Sequence, residues 1–542
     1  MSVERITHFV NALLCTGDGS EPVLGSLEVR GDRILRVSPG DPLPATPPGA
    51  DRLDCAGQVL SPGFLDVHAH SDLHLLSHPE HEAKLRQGVT FELLGQDGLG
   101  YAPVNDKTLP ILRERIRAWN GDPAGFAWSW RSVGQYLSRL DEGIAVNAGV
   151  LVPHGNLRLL VMGDAPRAAA PDEIAQMAEL LRAGLREGAL GLSAGLTYVP
   201  GTYANTEELI ELCRVVAAAD GVFVPHHRNY GATALEGYTE CLEIARATGV
   251  RLHLAHTHLS FPANAGKLPE LLDIFAAAEA DGVDFSFDSY PYLAGMTTLA
   301  SQLPSWAQAG TVAEQIVRLR DPERRAAIIE ALNVTGSDGH QGLTVDWDTV
   351  HLAGVAGAAD YAWALGGSLA AAAAARDQEP ADLCLDILIA SEMAAPCVLF
   401  MGVEAHVREL MQHPAHTVGS DGIFEGSRPH PRAWGTFARM LGHYVRELGV
   451  LSLGECVRHM TDAPAQRLGF SDRGRLRAGA IADLVVFDPD LIQDRATYDE
   501  PKRHAIGVTH VMVNGRFALR AGSLTGTRAG RVVRPNSWEQ HP

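Results

Sequence analysis

Residues Ser61–His74 read SPGFLDVHAHSDLH, and they hold a chain break, a short strand and a pair of histidines. Pro62 and Gly63 interrupt whatever precedes them. The apolar run Phe64 to Val67 then delivers His68 and His70, one residue apart. Side chains alternate along a strand, so positions i and i+2 face the same side. Both imidazoles can therefore meet one point just past the strand's end, as metal ligation requires. Two incidental polar residues would look the same, so the test is whether other strand ends offer matching donors.

They do. Working outward, eight strand candidates alternate with helical stretches: Gly63–Val67, Phe91–Gly95, Ala148–Val152, Ala189–Ser193, Val222–Val224, Arg251–Ala255, Asp284–Phe287 and His416–Gly419. Pro171–Glu187 opens on a Pro-Asp-Glu start signal, and Thr206–Ala219 and Ala232–Thr248 have helical apolar spacing. Strand–helix alternation predicts a parallel α/β architecture, and eight strands fit a (β/α)8 TIM-like barrel with its site at the strands' C-terminal ends. Those ends carry His68 and His70 on the first strand and Asp97 after the second. His226 ends the fifth, His256 the sixth and Asp421 the eighth. Imidazole nitrogen with carboxylate oxygen suits Zn2+ or a similar divalent ion.

Outside the barrel the texture is β. Ser26–Arg30 and Arg33–Val37 flank a Gly31-Asp32 turn, and near the other end Ala482–Asp488 reads as a buried strand. Val511–Val513 leads into the turn Asn514-Gly515-Arg516. We expect a small β-sandwich built from both termini, residues 1–60 plus 472–535, and a barrel over 61–471. Two connections are long for a barrel, at about 101–146 (with Trp119, Trp128 and Trp130) and 293–352. The second is read as a lid, with Trp306 as its aromatic contact.

Composition narrows the function classes. The 542-residue chain is 46% hydrophobic and 20% charged, ordinary for a globular enzyme. A formal charge of −20 with no basic cluster argues against a nucleic-acid or anionic-membrane partner. The seven scattered cysteines have no CxxC pair, which predicts reduced thiols. The N-terminus lacks the basic start and long apolar region of a signal peptide, and the most apolar stretch, Leu369–Ala375, is too short to span a bilayer. A cytoplasmic protein is expected; a homo-oligomer is compatible with all of this.

Several longer motifs resemble the amidohydrolase superfamily and, within it, the D-aminoacylases (N-acyl-D-amino-acid deacylases). They are PGFLDVHAHSD, PHHRN at the fifth strand, DSYPY at 288–292, GSDG at 419–422, HPRAWGTFARMLG at 430–442 and GRLRAGAIADLVVFDP at 474–489. The resemblance runs almost end to end. It implies hydrolysis of the amide of a small N-acyl-D-amino acid by one or two divalent ions, with His68, His70, His226, His256 and Asp421 at the metal positions. It also implies that Arg432, Ser289 and Tyr290 contact the substrate carboxylate, while Tyr198, in GLTYVPG, is read as lining the pocket.

Two departures stand out. Where D-aminoacylases place a ligating Cys after the second strand, this chain has Asp97, and its fourth strand ends at Ser193 with no Lys to carboxylate. A harder carboxylate widens the choice to Mn2+ or Co2+ or to a single-metal site. The family Lys two residues after the sixth-strand His is His258 here. In the expected chemistry a metal activates water and polarises the carbonyl, and Asp421 serves as general base and then acid. The rivals are a cyclic-amide or small-peptide hydrolase of the same superfamily, and a non-catalytic binding scaffold.

Overall fold

The computed structural model describes residues 6–535; residues 1–5, part of the N-terminal stretch read above, and 536–542 lie outside it. Its centre is eight parallel strands: Phe64–Asp66, Val89–Leu94, Asn147–Pro153, Gly191–Gly195, Val222–His226, Arg251–Leu254, Phe285–Ser289 and His416–Val418. Each pairs with the next in chain order, and all eight lie within two residues of the expected positions. They are buried almost throughout because both faces are covered, the inner by the barrel core and the outer by helices. Val89–Leu94, for example, is buried at every residue.

The ring closes between its first and last members. Ala69 bridges Gly422, the Asp421 amide donates to the His68 carbonyl at 2.8 Å, and the His70 amide donates to the Gly422 carbonyl at 3.2 Å. Closure therefore sets the histidine pair directly beside Asp421.

The outer helices follow local rules. Pro171–Arg186 starts with Pro, has Asp172 and Glu173 in its first turn and ends on Arg186, matching the helix dipole at both ends. Thr206–Ala218 is capped by Asn205, whose side chain accepts from the Glu208 amide.

The chain between the seventh and eighth strands builds a separate layer over the mouth. Ala294–Thr298, Val350–Leu352 and Pro396–Phe400 form an antiparallel three-stranded sheet with its own apolar core, including Leu299, Leu332, Leu369 and Leu385. This folded segment runs to residue 400, well past the 352 suggested by the sequence.

Strands from both termini join in one nine-stranded sheet. Leu484–Phe487 pairs antiparallel with Val59–Pro62, tying the C-terminal part to the segment that enters the barrel. In the N-terminal hairpin Glu28 lies opposite Arg36, and their side chains pair at 2.6 Å. The turn at Asn514-Gly515 has positive φ at both residues (46° and 76°), as a two-residue hairpin turn demands. Among the described residues no helix is long and apolar enough to cross a membrane, and all seven cysteines are buried and unpaired.

Candidate metal centre

Asp97 lies at the focus of four histidines. Its Oδ1 is 3.6 Å from His68 Nε2 and 3.5 Å from His256 Nε2, and its Oδ2 is 3.6 Å from His70 Nε2 and 3.5 Å from His226 Nδ1. Asp421 completes the ring, its Oδ1 3.2 Å from His70 Nε2 and 3.8 Å from His68 Nε2. All six residues are buried. The fourth strand contributes a close approach instead of a ligand. A Cβ on Gly195 would lie 2.0 Å from the Asp97 carbonyl, and Ser193 Oγ donates to the Gly95 carbonyl at 2.5 Å while accepting from the Gly98 amide at 3.2 Å. The strand expected to lack a ligand thus props the Asp97 loop.

Asp97, His256 and Asp421 all adopt positive φ (55°, 30° and 49°). Such conformations cost about 1–3 kcal/mol each for non-glycine residues and persist where surrounding structure imposes them. The outer nitrogens of two histidines are already engaged. Thr197 Oγ1 lies 2.8 Å from His226 Nε2, and the Tyr230 hydroxyl 3.0 Å from His256 Nδ1. That leaves His226 Nδ1 and His256 Nε2 facing inward, only 2.9 Å apart. Asp288 supports the first strand: Oδ2 is 3.5 Å from His68 Nδ1, and Oδ1 accepts the His256 amide at 3.0 Å. These are the partners that fix tautomer and ring orientation behind metal-ligating histidines. Sequence reasoning had assigned none of them.

Beneath the site is a buried charged knot. Lys84 Nζ contacts Asp66, Glu92 Oε1 at 2.8 Å and Ser420 Oγ at 2.8 Å, while Asp66 Oδ1 accepts the Ser420 amide at 2.8 Å. The knot ties the first strand to the residue before Asp421.

The donor set fits a divalent cation. His68 Nε2 and Asp97 Oδ1, which face the centre, are buried without a hydrogen-bond partner, a costly condition unless something else satisfies them. One donor atom from each of His68, Asp97 and His256 lies within 4.8 Å of the others, as do those of His68, His70 and Asp421. Electrostatics agree. Burial would raise the Asp97 carboxyl, but His226 and His256 hold it well below the usual range. Burial would lower His70, yet Asp421 and Asp97 push it up to about 10.

Beside this centre is a partly open cavity that reaches the three-stranded layer. Arg432, fully buried at the start of helix Arg432–Arg439, places its guanidinium over the Tyr290 ring at 4.7 Å. Its Nη2 donates to the Met296 carbonyl at 3.1 Å. Nη1 approaches Asp421 Oδ2 at 2.9 Å as an ion pair without hydrogen-bond alignment, and Nε has no partner. Tyr198 and His258 also line the cavity. Burial holds His258 down to about 3, so it brings no positive charge where the resembled family has Lys. Ser289 is a correction: its hydroxyl pairs with His416 Nε2 at 2.9 Å, and it does not line the cavity. Trp306 is another, 39% exposed with Arg324 above its ring. Trp119 joins Tyr198 and Tyr230 as an aromatic side chain beside the centre, 5.5 Å from the His70 ring and 4.8 Å from that of Tyr198.

An eight-stranded parallel barrel with histidines and carboxylates converging at its C-terminal mouth defines a metal-dependent hydrolase architecture. A family model described as "Amidohydrolase family" matches residues 51–518, and the chain belongs to that family. It is 33% identical over 524 residues to a D-aminoacylase of Alcaligenes xylosoxydans xylosoxydans, covering 96% of each chain. It is 36% identical over 510 residues to an N-acyl-D-glutamate deacylase of the same organism, covering 93% of this chain and 92% of that one. The crystal structure of N-acyl-D-glutamate deacylase from Bordetella bronchiseptica, complexed with zinc and a phosphonate inhibitor, superposes with a TM-score of 0.81. It is 31% identical and covers 98% of this chain and 100% of that one.

Proposed function

We propose that this protein removes the acyl group from N-acyl-D-amino acids or close relatives, using divalent metal held by His68, His70, Asp97, His226, His256 and Asp421. The observation that carries the reading is the Asp97 carboxylate shared by four inward-facing imidazoles, with Asp421 and Arg432 adjacent. When bound, a divalent ion supplies Lewis acidity toward the scissile carbonyl. Zn2+ is the metal we assign to a nitrogen- and oxygen-donor set of this kind, with Mn2+ and Co2+ as the alternatives a carboxylate in place of a thiolate admits.

The chain's own groups do the rest. Burial would raise the Asp421 carboxyl, but Arg432 and His68 hold it below the usual range, so it is ionised and able to take a proton from the attacking water. The same oxygen returns that proton to the departing nitrogen, one carboxylate serving in both directions. Arg432, whose Nε–H has no partner, is the cation this reading gives to the substrate carboxylate, with Tyr290 beneath the guanidinium. The layer following residue 293 covers the mouth and limits access of bulk water. We place the protein in the cytoplasm, a location suited to seven unpaired thiols. The same reading takes 1–60 with 472–535 as one β-unit and 61–471 as the barrel, supported by the pairing of Val59–Pro62 with Leu484–Phe487.

The test is a panel of N-acetyl-D-amino acids, their L counterparts, hydantoins and dipeptides against metal-loaded protein. Hydrolysis confined to the N-acyl-D-amino acids is expected; hydrolysis of hydantoins or dipeptides alone would overturn the reading.

A further inference from the structure

A second, narrow and partly open cavity lies behind the wall of the first. Trp119, Tyr198 and Ser301 line both. About half of the lining beyond that wall is apolar, with Leu99, Ile111, Val199, Ala300, Val312 and Met393; the rest is polar and includes Arg115, Gln308, Gln315 and exposed Glu114. It lies between the 101–146 insertion and the three-stranded layer. Tyr198 spans the junction, its ring tilted against that of His226 with centroids 4.9 Å apart and its hydroxyl hydrogen-bonded to Thr297 Oγ1 of that layer at 3.0 Å. Trp119 packs against both His70 and Tyr198. Its Nε1–H is buried with no hydrogen-bond partner among the described residues, a donor left for something that enters.

We infer that this second cavity is an acyl-chain site, and that the preferred substrates carry acyl groups several carbons longer than acetyl. The inference rests on the deacylase reading above. With the substrate carboxylate at Arg432 and the amide at the metal-binding residues, the acyl group extends toward Trp119 and Tyr198, beside His70 and His226. An acetyl group ends there. A longer chain passes the Tyr198 ring and buries methylenes against Ala300, Val312 and Met393. Tyr198 and Ser301 therefore act as positioning residues at the neck between the two cavities.

The experiment compares kcat/KM for N-acetyl, N-butyryl, N-octanoyl and N-lauroyl forms of one D-amino acid, in wild type and Ala300→Phe, both metal-loaded. Full burial of a methylene is worth up to about fourfold, so a rise of at least about tenfold from acetyl to octanoyl is expected. Ala300→Phe fills the second cavity and should lower the octanoyl-to-acetyl ratio by about tenfold or more. Val312→Phe serves the same purpose should Ala300→Phe fold poorly. A profile that is flat or falls with length in wild type, or equal losses for both substrates in the variants, overturns the proposal. Titration of metal-free protein with dodecanoate, followed by calorimetry, needs no turnover. Saturable binding with a negative heat-capacity change, weakened in both variants, is expected, and no binding overturns the acyl-chain site. Failure to hydrolyse any acyl length would instead remove the deacylase reading, leaving the titration to decide what the cavity holds.

Discussion

Replacing Asp97 by Asn keeps the side chain's shape, removes its charge and retains a residue type that tolerates the φ of 55° found there. The effect on metal binding follows from the geometry. Each carboxylate oxygen lies 3.5–3.6 Å from two imidazole nitrogens, so a cation held by those nitrogens sits within a few ångströms of the charge. Two unit charges about 4 Å apart at an effective dielectric of about 20 attract by about 4 kcal/mol. That corresponds to nearly three decades of affinity, and a divalent ion increases it. Asp97→Asn should therefore bind zinc about a thousandfold more weakly or worse, measured by chelator competition on reconstituted protein. Elemental analysis of the purified variant should show depleted metal. Asp97→Cys restores an anionic donor and should recover much of the zinc affinity. Wild-type affinity and stoichiometry in Asp97→Asn would refute the reasoning and leave Asp97 a loop residue.

His226→Ala or His256→Ala, each removing an inward-facing nitrogen, should strip most metal and activity; elemental analysis with turnover checks this, and full retention of both would contradict it. Arg432→Met should keep metal content yet lower kcat/KM for carboxylate substrates by about 1.5–3 kcal/mol, the worth of a hydrogen bond to a charged group. Because Arg432 also neighbours Asp421 at 2.9 Å, kcat should fall as KM rises. Away from the site, buried Glu208 pairs with His154 at 2.7 Å and with Arg158. Burial would raise its carboxyl, but these partners hold it at about 2 against an ordinary 4.5. A depressed carboxylate pKa stabilises the fold above the unfolded-state value and loses that contribution as pH falls through the folded one. Glu208→Gln should therefore cost about 3 kcal/mol at neutral pH, and the deficit should shrink between pH 4.5 and 2 in urea titrations.

The barrel was legible because most of its strands are short, largely apolar stretches spaced by helical sequence, with polar residues at several C-terminal ends, and barrel closure converts those ends into a cluster. The supporting contacts were not, because they depend on which way neighbouring side chains turn. In Asp288-Ser289 the strand's alternation sends Asp288 toward His68 and Ser289 toward His416, whose Nδ1 lies 3.0 Å from His459 Nδ1. A motif match alone would treat both as site residues. Trp119 comes from an insertion with no periodic signal, so nothing local distinguished it from Trp306 on the surface. The cover was underestimated for a similar reason. Its third strand, Pro396–Phe400, pairs with residues about a hundred positions earlier, and no local pattern announces such pairing.

The central claim is that metal bound by the Asp97 cluster drives deacylation. The most direct measurement titrates zinc into metal-free protein while recording, in the same samples, bound metal and the turnover of an N-acyl-D-amino acid. Turnover absent in the metal-free protein and rising in step with occupancy of the cluster is predicted. Turnover that is already complete without metal, or absent when the cluster is filled, would contradict the account.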